Sequence, residues 1–331
     1  MFPLILSFDT ARPEGFLKTH KSLKKIVSKG LSGIGSLHRL VNMVSTMFKH
    51  QKTIQKEILL EGVGVHSGKP VKIRLQPSLP DSGICFSLTG TQEKIHIGSV
   101  IPEHAMHATV LKSEKWYVST IEHLMASFSA FGIDNVHVEV GGTEIPIFDG
   151  SALAFVNALL ESGVEEQDAP KQFITPKQEL RFSDDKGRFI EIIPAEKNKL
   201  ELIFDYSVEF EHPLVGKGRL TGTLSQDYFV KEIAPARTFG FLSQLEMLRK
   251  YNLALGSSLG NTVVIGEDDY INEKRFDDEF VRHKFLDLIG DLACLGKPLV
   301  GTLKASKTGH SFNRQVTEHF IKHPDQWDVI S

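Results

Sequence analysis

An α+β protein built from two similar halves is what this sequence predicts, and three observations predict it. From residue 53 onward, segments that alternate apolar and polar residues recur, which is the period of a half-buried strand. Between them lie stretches with helical spacing of apolar residues and glycine stops. The order of elements, several strands, helix, strand, helix, then runs twice. Identity between the two runs is too low for a repeat at the level of residues, and only the order matches.

In the first run, "TIQKEILLEG" and "KPVKIRLQPS" read as strands, with Gly62, Gly64 and "HSGK" as the turn between them. "STIEHLMASFSAFG" reads as a helix with Ser119 or Thr120 as N-cap, Glu122 in the first turn and Gly132 past its end. A strand, "NVHVEV", follows; after the turn-rich "GGTEIPIFDGS" comes a helix, "SALAFVNALLESG", that stops at Gly163. The segment "VEEQDAPKQFITP", residues 164–176, mixes acids, prolines and polar groups and reads as the domain boundary. The second run has strands in "RFIEIIPAE" and "KLELIFDYSVEF", a long helix in "FDDEFVRHKFLDLIGDLACLG", a strand in "KPLVGTLKASKTG" and a closing helix in "HSFNRQVTEHFIKH". Ahead of the long helix sits an extra strand, apolar-faced helix and strand, residues 240–268, longer than a connection requires and a candidate wall for an apolar ligand. The expected division is a leader, 1–46, a first domain, 47–168, and a second domain, 169–331.

At 331 residues and 41% hydrophobic, the chain has ample material for packed cores. Cys85 and Cys294 form no C-x-x-C pair, so neither a disulfide framework nor a thiolate zinc site is expected. Residues 1–50 hold eight Lys/Arg against Asp9 and Glu14, leaving 30 basic and 39 acidic groups in the body. A body of that sign has no electrostatic footprint for nucleic acid, and no run of 18 apolar residues exists to span a membrane. The basic, Ser-rich leader reads either as an over-extended start or tail preceding Met47 or as an organelle-targeting segment.

The helix "FVRHKFLDLIGDL" carries His283, Asp287 and Asp291 at i, i+4 and i+8, a polar seam beside Phe285, Leu288, Ile289 and Leu292. The plain reading of such a pair is a surface hydrogen bond. A catalytic zinc, however, takes three ligands from His, Asp or Glu and keeps a fourth position for water. His283 and Asp287 offer two ligands on one helix face, His123 a third from the other half, and Glu122 is a carboxylate adjacent to a ligand. Taken singly, His123 reads as a core or capping histidine and His310, in "KTGHSFN", as an N-cap residue at a strand-to-helix junction. His66, His104, His107 and His137 read as loop or strand residues. The metal reading fails if His123 lies more than about 8 Å from His283 and Asp287.

Six segments, "GVGVHSGK", "STIEHLMASFSAFGIDNVHVEV", "TEIPIFDGSA", "PARTFGF", "DEFVRHKFLDLIGDL" and "GHSFN", occur in the order and spacing of the UDP-3-O-acyl-N-acetylglucosamine deacetylases, which the chain resembles over residues 50–322. The resemblance implies a single Zn2+ per chain, with Fe2+ as the alternative, held by His123, His283 and Asp287. It implies Glu122 as general base, His310 as the acid that protonates the leaving amine, and Asp291 as the group that orients His310. Lys284 would face substrate phosphate or the developing oxyanion, Thr238 would steady the tetrahedral intermediate, and Phe239 would pack on the sugar. The implied fold has two domains, each a strand layer with two helices, the helices sandwiched between the sheets and the active site in the cleft. The 240–268 piece matches an insert that passes the acyl chain. One departure is Val110, which stands where many relatives carry a cysteine.

The expected reaction is removal of the N-acetyl group from an acylated UDP-sugar, giving acetate and the free amine, the committed step of lipid A biosynthesis, with a bell-shaped pH profile. A related zinc amidohydrolase acting on another acylated sugar, or a non-catalytic binding protein on the same fold, are the alternatives. A monomer is expected, cytoplasmic in a bacterium or mitochondrial if the leader is the targeting segment of a plant-type member.

Overall fold

Two five-stranded sheets with the same strand order organise the chain. The computed structural model describes residues 50–105 and 108–331, all within one compact unit, Lys49–Ser331. The leader, 1–46, and His107 lie outside the described residues. In the first sheet we label β1 Ile58–Val63, β2 Pro70–Pro77, β3 Ile84–Leu88, β4 Lys94–His96 and β5 Val136–Val140. Their order is β1-β2-β5-β3-β4, with β3 and β5 parallel and the other neighbours antiparallel. In the second sheet we label β6 Leu180–Ser183, β7 Phe189–Ile193, β8 Leu202–Glu209, β9 Lys217–Thr223 and β10 Gly301–Ser306. Their order is β6-β7-β10-β8-β9, with β8 and β10 as the parallel pair. The repeated order of elements is thus a repeated topology, and the fold class is α+β.

A parallel pair cannot be closed by a hairpin and needs a crossover, here supplied by a helix in each half. Helix α1, Glu122–Phe131, precedes β5, and α2, Leu153–Ser162, follows it. Helix α3, Leu242–Lys250, lies in the insert; α4, Glu279–Ala293, precedes β10; α5, His310–Lys322, follows it. Alternation aims the sheets: Val71, Ile73 and Leu75 of β2 are buried while Lys72 and Arg74 are exposed, and Phe204, Tyr206 and Val208 are the buried set of β8. These residues join Leu124 and Phe128 of α1 and Phe285 and Leu288 of α4 in one hydrophobic core. The Phe285 ring sits 4.3 Å from Phe204 and 5.6 Å from Tyr206, which seats α4 on the second sheet.

Three local readings change. Neither Ser119 nor Thr120 caps α1: the N-cap is Ile121, without a side-chain cap, and Thr120 has φ +60°, left-handed backbone that a β-branched residue rarely adopts. Its hydroxyl instead donates to Glu144 Oε1 at 3.3 Å, while Ser119 bonds the 143–145 segment through its amide and carbonyl, so tertiary pairing outcompetes the local cap. Residues 164–176 are extended: Val164–Pro170 pairs with His50–Ile54, and Phe173–Pro176 with Trp327–Ile330. Val164–Pro170 carries mostly exposed side chains, so no apolar alternation marks it as a strand. "TIQKEILLEG" divides into the end of the 50–54 strand and the start of β1 around the bend at 55–57. The insert is strand, helix, strand, with Phe239–Phe241 parallel to Val263–Ile265, but none of α3 is buried, and Leu242 and Met247 remain about half exposed, at 47% and 53%.

Candidate active site

The first turn of α1 meets the middle of α4, and Gly290 permits it. A Cβ at Gly290 would stand 2.0 Å from the carbonyl oxygen of Glu122 and 2.9 Å from its Cα, well inside contact distance. Only a glycine lets the helices approach this closely, and the approach carries Glu122 and His123 to the polar seam of α4.

His123, His283 and Asp287, all buried, converge so that one ligand atom from each lies within 4.8 Å of the others. This is well inside the 8 Å limit set on sequence grounds. Nε2 of His123 is 3.7 Å and Nε2 of His283 3.5 Å from Oδ1 of Asp287, and the two imidazoles meet edge to face with centroids 5.0 Å apart. Donors each 2.0–2.1 Å from a tetrahedral ion stand about 3.3–3.4 Å apart, so the set fits a divalent metal with little adjustment. His283 Nδ1 lies 3.1 Å from the carbonyl of Ala236; donating there leaves Nε2 with its lone pair facing the other two groups. Burial pushes His283 down to about 4, so the imidazole is neutral, as a ligand must be. Burial alone would raise Asp287, but the ammonium of Lys284 and the imidazole of His283 outweigh it and hold the carboxyl well below the usual range.

Around this trio stand further buried titratable groups. Glu122 is 3% exposed, and burial raises its carboxyl against the opposing pull of His310 and His123. His310 opens α5 at the end of the Gly309 junction and points Nδ1 at Asp291, 2.8 Å from Oδ2 and 3.1 Å from Oδ1. Burial would lower its imidazole, yet the carboxylates of Asp291 and Asp287 more than compensate and lift it to about 9. Lys284 turns its ammonium onto Asp287 Oδ2 at 2.7 Å, and the carboxylate holds it well above the ordinary lysine range despite burial. The arrangement offers two imidazoles and a carboxylate suited to holding a metal, with a buried carboxylate on one side and a protonated imidazole on the other, a pair able to take and give a proton.

Thr238 and Phe239 lie on the chain leading from the 234–238 loop into the insert. The Thr238 amide donates to the Gly150 carbonyl and its own carbonyl accepts from Val263, both at 2.8 Å. Phe239 packs 4.7 Å from Phe280 and 6.3 Å from the His283 ring, centroid to centroid, so it borders the site.

Four residues of the site escaped the sequence reading. Thr109 and Asn313 both donate to Asp291, at 2.5 and 2.7 Å. Asn313 stands three residues after His310, on the same helix face, and that spacing was the available signal. Arg237 and Glu279 form a buried pair: Nε and the backbone amide of Arg237 each reach Glu279 Oε1 at 2.9 Å, and the amide of Arg275 reaches Oε2 at 2.6 Å. This clamp fixes the loop whose Ala236 carbonyl orients His283. Charge opposition between "ART" and "DEF" hinted at it, without revealing which acid pairs.

The chain matches, over residues 51–322, the model of a family described as UDP-3-O-acyl N-acetylglycosamine deacetylase. A curated UDP-3-O-acyl-N-acetylglucosamine deacetylase from Nautilia profundicola is 41% identical over 272 residues, which cover 82% of this chain and 91% of that protein. The enzymes of that name from Syntrophotalea carbinolica and Pseudomonas entomophila are each 40% identical, covering 85% of this chain and 91% and 93% of their own lengths.

Proposed function

From the premise that the chain belongs to the UDP-3-O-acyl N-acetylglycosamine deacetylase family, we propose that it hydrolyses the N-acetyl group of UDP-3-O-acyl-N-acetylglucosamine, releasing acetate and UDP-3-O-acyl-glucosamine. The observation that carries the reading is the convergence of the three ligand atoms within 4.8 Å, with Glu122 and the His310–Asp291 pair buried around them.

His123, His283 and Asp287 would hold the ion, Zn2+ by the donor set, with Fe2+ compatible with the same residues. When bound, such an ion supplies Lewis-acid polarisation of the amide carbonyl and eases deprotonation of water. Glu122 receives the proton of the attacking water. His310, charged on the strength of Asp291, delivers a proton to the amide nitrogen, which otherwise leaves poorly. Thr238 steadies the oxyanion through its hydroxyl, and Lys284 places a positive charge beside it or beside the substrate phosphates. Phe239 borders the sugar.

The half-exposed apolar side chains of α3 suit an acyl chain that a solvated surface would not retain. We read 47–168 and 169–331 as two domains that share the site, with the reaction as the committed step of lipid A synthesis, carried out by a monomer. No helix among the described residues is long and apolar enough to cross a membrane. We assign the protein to the cytoplasm of a bacterium, with an organelle the alternative for a plant-type member.

Glu122→Ala tests the reading: metal analysis should find the ion retained while kcat falls about 10²–10⁴-fold. Loss of the ion together with activity would make Glu122 a structural residue. A substrate panel varying nucleotide and acyl length should show the highest kcat/KM for the 3-O-acyl UDP-sugar; equal turnover of unrelated acetamides would sink the substrate assignment.

A further inference from the structure

One residue touches both proton-handling sides of the site. Thr109, on the strand Ala108–Lys112, is 4% exposed; its amide donates to Glu122 Oε2 at 3.1 Å and its hydroxyl to Asp291 Oδ1 at 2.5 Å. The same hydroxyl oxygen lies 3.3 Å from His310 Nδ1. Asp291 therefore receives three donors from two elements: Nδ1 of His310 and, one turn further along, Nδ2 of Asn313, both on α5, and the hydroxyl of Thr109 on its strand. A carboxylate held only by the imidazole and by a side chain of the same helix can rotate with that helix. A donor on a separate strand fixes its plane relative to Glu122. Threonine suits the task, because its branched Cβ restricts χ1 and little side-chain freedom remains to be lost.

We propose that Thr109 is the positioning residue that sets the spacing between the two proton-handling side chains, its amide anchoring Glu122 and its hydroxyl locking the carboxylate against which His310 is aligned. The inference rests on the deacetylase reading above and adds to it a residue that acts through Glu122 and Asp291 rather than on the substrate. A misplacement on the order of 1 Å in a reacting group costs up to about 10²-fold in rate, so a lost hydroxyl should register in turnover before it registers in binding.

The test uses the full, metal-loaded chain with Thr109→Val, Thr109→Ala and Thr109→Ser. Val keeps the shape and Ala only removes atoms, so the experiment survives if one of them fails to fold. Both should lower kcat about 10–100-fold with KM and metal content within about threefold, and Ser should restore kcat to within about threefold of the parent. In a His310→Ala background, Thr109→Val should cost less than about twofold further, since its effect runs through His310. A second readout needs no substrate: the downfield Nδ1 proton resonance of His310, identified by its absence in His310→Gln, should move in Thr109→Val and hold in Thr109→Ser. Parental kcat in both Val and Ala, an equal loss in Ser, or full additivity with His310→Ala would overturn the proposal, as would an unmoved resonance. If the parent protein fails to deacetylate the UDP-sugar, the function reading falls, while the resonance still decides the place of Thr109.

Discussion

Helices α1 and α4 occupy the same place in the two halves, each crossing over to the last, parallel strand of its sheet, yet they serve the site differently. The ten-residue α1 contributes its end, with Glu122 and His123 in the first turn. The fifteen-residue α4 contributes its side, with His283, Lys284, Asp287 and Asp291 along two turns. Equivalent position does not bring equivalent residues: the buried His/His/Asp cluster that could hold a metal is complete only where an end meets a side, at the close approach Gly290 allows. The supports differ as well. In the first half Glu144 accepts from the amides of His66 and Ser67, at 2.8 and 2.9 Å, whereas in the second Glu279 accepts from a buried guanidinium.

The contrast can be broken most severely at Gly290. Alanine favours a helix interior by about 1 kcal/mol over glycine, but a Cβ 2.0 Å from the Glu122 carbonyl forces α1 away. Gly290→Ala should reduce kcat/KM by more than about 10²-fold and lower the melting temperature, checked by assay and thermal unfolding. A variant as active and as heat-stable as the parent would show that the close approach is not what assembles the site.

Next in size is the difference between the two supporting carboxylates. Glu279→Gln leaves Arg237 buried with its charge unmatched and should cost about 3–5 kcal/mol in urea unfolding. Glu144→Gln retains one acceptor oxygen for uncharged donors and should cost about 1–3 kcal/mol. Burial would raise Glu279, but Arg237 and the backbone amides hold its carboxyl below the ordinary value. A depressed acid stabilises the fold above its unfolded pKa, about 4.3, and loses that contribution as pH falls through the folded value. The gap between parent and Glu279→Gln should therefore be full at pH 7 and narrow progressively below about pH 4.3; a gap independent of pH would assign the loss to packing.

The smallest effect lies on the surface of the second sheet. Glu209, paired with Lys217 and Lys307, is drawn down to about 2 by those two lysines. Its contribution is present above the unfolded pKa and disappears as pH falls through about 2. Because the group is exposed, an NMR titration in about 1 M salt should return it towards about 4.3. Persistence of the low value would point to direct hydrogen bonding rather than screened attraction.

Much of the fold was legible because burial imposed periodicity. The strands β2, β5, β7 and β8 and the helices α1, α2, α4 and α5 each carry an apolar rhythm in their sequence. The 164–170 strand does not, since its side chains are mostly exposed, and β9 alternates glycine with polar residues around Leu220. Within the site, the i, i+4, i+8 seam was readable from one helix, while His123 was a candidate third ligand from the other half that read singly as a core or capping histidine, and the resemblance set it beside that helix. Thr109 could not be read at all: it is one threonine among many in sequence, made special only by lying within reach of both Glu122 and Asp291. Gly290 sits inside a helix, and nothing local tells a tolerated glycine from a required one.

The left-handed Thr120 has a consequence for anyone who seeks a hardier enzyme. A branched side chain held at φ +60° stores roughly 1–3 kcal/mol of backbone strain, two residues ahead of Glu122. Selection for heat tolerance will be drawn to that position, where glycine or asparagine relaxes the chain. Glycine also forfeits the hydroxyl bond to Glu144. Robustness gained there would loosen the entry to α1, so thermostability and turnover pull in opposite directions at a single codon.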